Sequence, residues 1–83
     1  MTIQNAVNKL EKAGFMVTKG NTGNIFAVNP NYRRWIEVTR NGYTQNVATI
    51  DLRTRGQDDE IQSDYHAGVF CHNITQAIRL AIV

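Results

Sequence analysis

The stretch YRRWIEVTRNGYTQNVATIDLR, residues 32–53, decides the fold because it contains two alternating segments on either side of a turn. Residues Tyr32 to Arg40 and Tyr43 to Arg53 each alternate with the two-residue period of a β-strand. One side of this predicted sheet carries Arg34, Ile36, Val38, Ala48, Ile50 and Leu52. The other side carries Arg33, Trp35, Glu37, Thr49, Asp51 and Arg53. We therefore predict a β-hairpin with one apolar and one polar face.

The turn of this hairpin fixes which faces align. A two-residue Asn41-Gly42 turn would place the apolar residues of the two strands on opposite faces, which a half-buried sheet cannot accept. A three-residue loop, Arg40 to Gly42, with Gly42 in the left-handed conformation, brings the apolar positions onto one face. The sequence therefore favours a bulged hairpin.

The segments before this hairpin predict a helix and two further strands. Thr2 can cap a helix that Gly14 ends, since glycine readily adopts the left-handed conformation. The buried stripe of this helix has helical spacing and comprises Ile3, Ala6, Val7, Leu10 and Ala13. Phe15 to Lys19 and Ile25 to Val28 then have the length and composition of short strands, with a turn at residues 20–24.

The segments after the hairpin are less regular until the last ten residues. Residues 54–63 have neither the periodicity of a helix nor that of a strand, which predicts an exposed loop. Tyr65, Val69 and Phe70 are too apolar to remain in solvent, so residues 64–72 are expected to pack down, as irregular chain or as a short fifth strand. Asn73, with Gln76 three residues later, is typical of a capping box. The closing helix buries Ile74, Ala77, Ile78, Ala81 and Ile82.

These elements together predict a single α+β domain over residues 1–83, in the order α-β-β-β-β-α. Strands joined by short turns favour a four-stranded antiparallel meander, with the fifth strand left open. Each helix has one apolar stripe, so both are expected on the same face of the sheet, in two layers.

Composition describes an ordinary globular chain, with 42% hydrophobic and 19% charged residues. The single cysteine, Cys71, excludes an internal disulfide framework and favours a reducing compartment. Neither a secretory signal nor an apolar run long enough for a membrane span is visible. We expect a cytoplasmic protein with no membrane partner.

The segment from Lys9 to Phe15 resembles the start of HicA-type toxins, small ribonucleases of toxin–antitoxin pairs. The resemblance covers about half of the chain and implies a helix, a meander and a second helix, as in double-stranded-RNA-binding domains. The family has a Gly-Ser/Thr-His step in its first hairpin, whereas residues 21–26 here contain no histidine. The second helix begins at Asn73 without the lysines of double-stranded-RNA binders. The resemblance therefore implies topology and no catalytic residue.

Charge is distributed unevenly along the chain. Residues 1–57 hold eight of the nine basic residues, whereas four of the seven acidic residues lie within residues 58–64. These four are Asp58, Asp59, Glu60 and Asp64. They lack the ligand spacing of a calcium loop, so we interpret them as a solvated loop or as a docking element for a basic partner surface.

Arg33, Trp35 and Arg53 form the best candidate binding surface. If the three share the exposed sheet face, they combine guanidinium groups with a ring that could stack on a base. The same residue types dominate contact sites between proteins. The structural alternative is that Arg33 pairs with Asp51 or Glu37 and that Trp35 covers an apolar edge.

Catalytic and metal sites have weaker support. Asp64, His66, Cys71 and His72 bring carboxylate, imidazole and thiol close in sequence, but without the spacing of a zinc site. Cys71 is expected to be a buried thiol beside a surface histidine, since cysteine is frequently buried. We expect no cofactor and no metal, and an enzyme using Cys71, His66 or His72 is the minor alternative.

These observations predict a small non-catalytic binding protein that acts by protein–protein contact. Its size and segregated charge resemble those of phage or mobile-element accessory proteins that inhibit host defence factors. The mechanism would be occlusion of a partner surface. A homodimer is a further alternative. The alternative is an RNA- or DNA-binding module that uses the face around Arg33, Trp35 and Arg53.

Overall fold

The computed structural model describes residues 1–54 and 69–82. In chain order its elements are α1 (Ile3–Lys12), β1 (Met16–Lys19), β2 (Ile25–Val28), β3 (Arg34–Arg40), β4 (Val47–Thr54), β5 (Val69–Phe70) and α2 (Ile74–Ala81). The strands form an antiparallel sheet in the sequential order β1-β2-β3-β4-β5. The predicted α+β class and element order are confirmed, and the fifth strand that stayed open is present as a two-residue strand.

Helix α1 begins and ends at the predicted residues. The Oγ1 atom of Thr2 accepts a hydrogen bond from the Asn5 backbone N–H at 3.1 Å. At the other end, Gly14 has a φ of +93° and donates to the Glu11 carbonyl at 3.0 Å. Phe15 donates to the Leu10 carbonyl at 3.0 Å. These two bonds form a Schellman motif, which satisfies the last carbonyls of the helix and directs the chain into β1.

The core lies between the two helices and one face of the sheet. Ile36 pairs with Leu52 and Val38 pairs with Ile50, so the apolar residues of β3 and β4 share a face, as predicted. They pack in one cluster with the buried stripes of both helices. The fully or almost fully buried members are Ile3, Ala6, Leu10, Phe15, Ile25, Ala27, Ile36, Val38, Ile50, Leu52, Ile74, Ala77 and Ala81.

The hairpin between β3 and β4 has the predicted facing but a longer loop. Arg40 pairs with Val47 after a register shift between Thr39 and Arg40, so the three-residue loop that we expected is wrong. The residues just before β4 pair with the start of the chain, where Thr2 forms an isolated β-bridge with Asn46. Ile3 donates to the Gln45 carbonyl at 2.7 Å, and Val47 donates to the Met1 carbonyl at 2.9 Å. Gly42 has the expected left-handed conformation, with a φ of +59°.

Helix α2 is held at both ends by polar side chains. Asn73 Oδ1 accepts from the Gln76 N–H at 2.8 Å, as predicted, while Gln76 Oε1 accepts from the His72 N–H at 2.7 Å. At the last turn, Arg34 Nη1 donates to the Leu80 carbonyl at 3.1 Å. Within the described ranges, neither helix is long and apolar enough to cross a membrane.

Candidate binding surfaces

The face of the sheet opposite the two helices is called the helix-free face below. The strand registers assign to it Met16, Thr18, Phe26, Val28, Trp35, Glu37, Thr39, Thr49, Asp51, Arg53 and Phe70. Five of these side chains form one row of direct cross-strand partners: Thr18, Phe26, Glu37, Asp51 and Phe70. Adjacent strands lie about 4.8 Å apart, so the row spans about 19 Å from β1 to β5.

A cluster of two carboxylates and one guanidinium lies in the middle of this face. Arg53 Nε is 3.1 Å from Glu37 Oε1, and Arg53 Nη2 is 3.7 Å from Asp51 Oδ2. The second oxygen of Glu37 accepts from Asn24 Nδ2 at 3.1 Å. Each of the three charged side chains is at most 12% exposed. Arg53 is therefore already neutralised and largely withdrawn from solvent.

Asp51 differs from an ordinary surface carboxylate. Burial raises its pKa, Arg53 acts in the opposite direction, and the neighbouring charge of Glu37 raises it further. With both carboxylates ionised, the cluster of Glu37, Asp51 and Arg53 carries one excess negative charge. The centre of the helix-free face is consequently acidic, not basic.

Trp35 lies on the predicted side of the sheet but is fully buried. Its exposed fraction is 0%, and its ring centroid is 5.7 Å from that of Phe26 at an interplanar angle of 44°. The expectation of an exposed ring beside Arg53 is therefore wrong, although the two residues are direct cross-strand partners. Strand alternation determines the side of a residue but not how deeply it is covered. In this arrangement Trp35 cannot stack on a base.

The third residue of the predicted cluster, Arg33, lies directly before β3 and is exposed. The structure therefore places Trp35 and Arg53 side by side on the helix-free face, largely withdrawn from solvent, whereas Arg33 is exposed to solvent. Glu37 and Asp51, which pair across the sheet, bind Arg53. The alternative interpretation of the sequence expected Arg33 to pair with one of these carboxylates.

Two apolar residues of β5 are exposed instead of packed. Phe70 is 75% exposed and Val69 is 53% exposed, which corrects the expectation that they pack down. Both pair with β4 through their backbones, Phe70 with Asp51 and Val69 with Leu52. Because successive residues of a strand point to opposite faces, Phe70 lies on the helix-free face and Val69 on the helix side. Met16, at the opposite edge of the helix-free face, is 60% exposed.

The four acidic residues Asp58, Asp59, Glu60 and Asp64 lie outside the described residues, and so does His66. In the described ranges, no group of three His, Cys, Asp or Glu side chains could hold a metal ion.

Cys71 is half-buried and the neighbouring His72 is exposed. Burial, and secondarily the negative charge of Asp51, raise the pKa of the Cys71 thiol. A raised pKa keeps the sulfur protonated near neutral pH, and the thiolate is the nucleophilic form. The local environment of Cys71 therefore disfavours nucleophilic chemistry.

A second surface, which the sequence reasoning did not select, lies between the two helices and is called the interhelical groove below. It has a volume of about 440 Å³ and is lined by Lys9, His72, Asn73, Thr75, Gln76 and Arg79. An adjoining pocket of about 310 Å³ shares Lys9 and Thr75 with it and adds Lys12, Ala13 and Ile78 to the groove. The sequence feature that indicates this groove is residue spacing. Lys9 and Lys12 share one side of α1, and Thr75 and Arg79 share one side of α2.

We found no protein-family model, curated protein or solved structure that matches this chain. The likeness of residues 9–15 to HicA-type toxins accordingly stays a prediction.

Proposed function

We propose that this chain is a non-catalytic cytoplasmic binding protein that acts by contact with another protein, through the β5 edge of the helix-free face. The supporting observation is the 75% exposure of Phe70 on a strand whose neighbour on that face, Asp51, is buried. Covering an exposed Phe side chain contributes about 1.5–3 kcal/mol. Aromatic residues of this kind are frequent anchors of protein interfaces.

The surroundings of Phe70 define the chemistry of the partner. The ring stands beside the cluster of Glu37, Asp51 and Arg53, whose excess charge is negative. A complementary partner surface offers an apolar pocket for the ring and a basic group near Asp51. Occupation of a basic partner surface fits the occlusion mechanism expected of an inhibitory accessory protein.

The chemistry of the titratable groups supports a non-catalytic role. The Cys71 thiol has a raised pKa, and the Glu37 carboxylate is bound by both Arg53 and Asn24. Neither group is therefore prepared to act as a nucleophile or as a general base in the free protein.

Affinity capture with matched surface variants tests the proposal. The wild-type chain, Phe70→Ser and Tyr43→Ser would be immobilised and exposed to nuclease-treated lysate of the native host. Tyr43 is the matched control because it is an aromatic residue with 98% exposure, located in the loop between β3 and β4. We expect a protein that the wild type and Tyr43→Ser retain and that Phe70→Ser loses, with circular dichroism confirming that all three chains are folded.

Two results would overturn the proposal. One is a retained protein that all three chains bind equally, because Phe70 would then make no contact with it. The other is a dimer of the purified wild type that Phe70→Ser dissociates in sedimentation, since the ring would then be covered by a second copy.

A further inference from the structure

We propose that the interhelical groove binds the sugar–phosphate backbone of a nucleic acid. This site is separate from the proposed protein contact, because the helices cover the face of the sheet opposite to the one that carries Phe70. Its ligand would be recognised by charge and by hydrogen bonds to phosphate, and not by contacts to bases.

The first argument is the uncompensated charge of the groove. Its lining includes Lys9, Lys12 and Arg79 and no carboxylate. Within the described ranges none of these three side chains makes an ion pair, and all three are exposed. The one acidic residue of α1, Glu11, is two positions from Lys9, which places it about 200° around the helix, on the other flank.

The second argument is where the acidic residues of the described ranges lie. These ranges hold eight basic and three acidic residues, a formal charge of +5. Glu37 and Asp51 are bound to Arg53 on the helix-free face, so they do not offset the charge of the groove. Among the described residues the helix side is therefore the more positive one, and such a field attracts polyanions.

The beginning of α2 adds to the same potential. Its first turn contains no acidic residue, and Asn73, Thr75 and Gln76 of this region line the groove. The N-terminal end of a helix carries a partial positive charge and free N–H groups that suit a phosphate oxygen. This contribution accompanies Lys9 and Arg79, which carry the argument.

The composition of the groove favours a nucleic-acid backbone over an acidic protein. Its lining contains no Phe, Tyr or Trp, and its apolar members, Ala13 and Ile78, are partly buried against the core. Protein interfaces have an apolar centre that excludes water, whereas the larger pocket, between Lys9 and Arg79, exposes more polar than apolar surface. Base stacking relies mainly on Phe, Tyr and Trp rings, and the only exposed ring in this lining is the imidazole of His72. Phosphate groups need neither feature.

Fluorescence anisotropy with a labelled DNA duplex of about 20 base pairs tests the site across about 50–200 mM salt. The test variant is Lys9→Gln with Lys12→Gln and Arg79→Gln. The control is Lys19→Gln with Arg33→Gln, which removes charges that lie outside the groove. Each phosphate contact contributes about 0.9 to the slope of log affinity against log salt, so loss of three contacts should lower this slope by about 2.7. We expect at least a tenfold loss of affinity at the lowest salt for the groove variant, and a smaller loss for the control.

Three results would overturn the inference. The first is no binding of the duplex by the folded wild type at the lowest salt. The second is an equal loss of affinity in the groove variant and the control, which would mean that diffuse surface charge binds the duplex. The third is displacement of the duplex by poly-glutamate at equal charge concentration, which would indicate an acidic protein as the ligand. The three substituted side chains are exposed, so circular dichroism should show native folds throughout.

Discussion

Trp35 and Arg53 are direct cross-strand partners on β3 and β4, and both are withdrawn from solvent on the sheet face opposite α1 and α2. The indole lies against the Phe26 ring, while the guanidinium is bound by Glu37 and Asp51. The helix-free face therefore has an interior of its own, separate from the core beneath the helices.

The burial of Trp35 can be read directly from fluorescence, because it is the only tryptophan in the chain. We expect emission of the native protein to be blue-shifted and protected from acrylamide, and both properties to be lost in urea. Trp35→Ala should lower the free energy of unfolding by about 3–5 kcal/mol, the usual cost of truncating a fully buried aromatic residue. Native emission that acrylamide quenches as readily as that of the unfolded chain would contradict the structure.

Loss of Arg53 should destabilise the fold through the two carboxylates that remain. In Arg53→Met the alkyl chain is kept, but Glu37 and Asp51 face each other without a cation while largely buried. Breaking such a pair costs about 3 kcal/mol of unfolding free energy, which urea denaturation at neutral pH would measure. Lys19→Gln is the control, because Lys19 is exposed and should change stability by less than about 0.5 kcal/mol. Equal midpoints for both variants would show that the cluster does not stabilise the fold.

The raised pKa of Asp51 predicts the sign of a pH effect. A carboxyl group whose pKa is higher in the folded than in the unfolded chain favours folding when protonated, and this benefit is lost as pH rises through the folded pKa. The amide of Asp51→Asn does not titrate. The unfolding free energy of the wild type minus that of Asp51→Asn should therefore be largest below pH 3.8, the ordinary value, and decrease as pH rises above it. Urea titrations at successive pH values would measure this difference, and an increase with pH would show that Arg53 outweighs burial.

Features of the fold that depend on neighbouring residues can be predicted from the sequence. Alternation in residues 32–53 correctly assigned Ile36 and Val38 to the core side and Trp35 to the other side, because period-two geometry is a property of the strand itself. The helix caps at Thr2 and Asn73 could also be predicted from the sequence, since each is completed within four residues.

The errors concern contacts between distant parts of the chain. The loop between β3 and β4 was predicted too short because Gln45 and Val47 bond to Ile3 and Met1, which no local pattern reveals. The exposure of Phe70 and the burial of Trp35 depend on what covers each position, and composition carries no such information. The interhelical groove was missed for the same reason, because its charges come from two helices that the sequence separates.

The Schellman motif at the end of α1 allows the energetic cost of backbone strain to be measured separately from that of packing. A Cβ atom at Gly14 would meet Asn29 Nδ2 at 3.5 Å, an ordinary contact, so the cost of Gly14→Ala arises from its φ of +93°. Gly42→Ala is the matched control, because its φ of +59° lies in the left-handed region that other residues sometimes adopt, with nothing within 4 Å of the added atom. We expect a loss of about 2 kcal/mol of unfolding free energy for Gly14→Ala and about 1 kcal/mol for Gly42→Ala.

Urea denaturation of both alanine variants, with Gly42→Asn beside them, measures this difference. Asparagine adopts the left-handed conformation more readily than alanine, so Gly42→Asn should recover part of the loss at that turn. At Gly14 the φ of +93° is farther from the range of about +50 to +70° that residues other than glycine adopt, so Gly14→Asn should recover less. If Gly14→Ala and Gly42→Ala had equal stability, the end of α1 would not depend on the glycine conformation that closes its last turn.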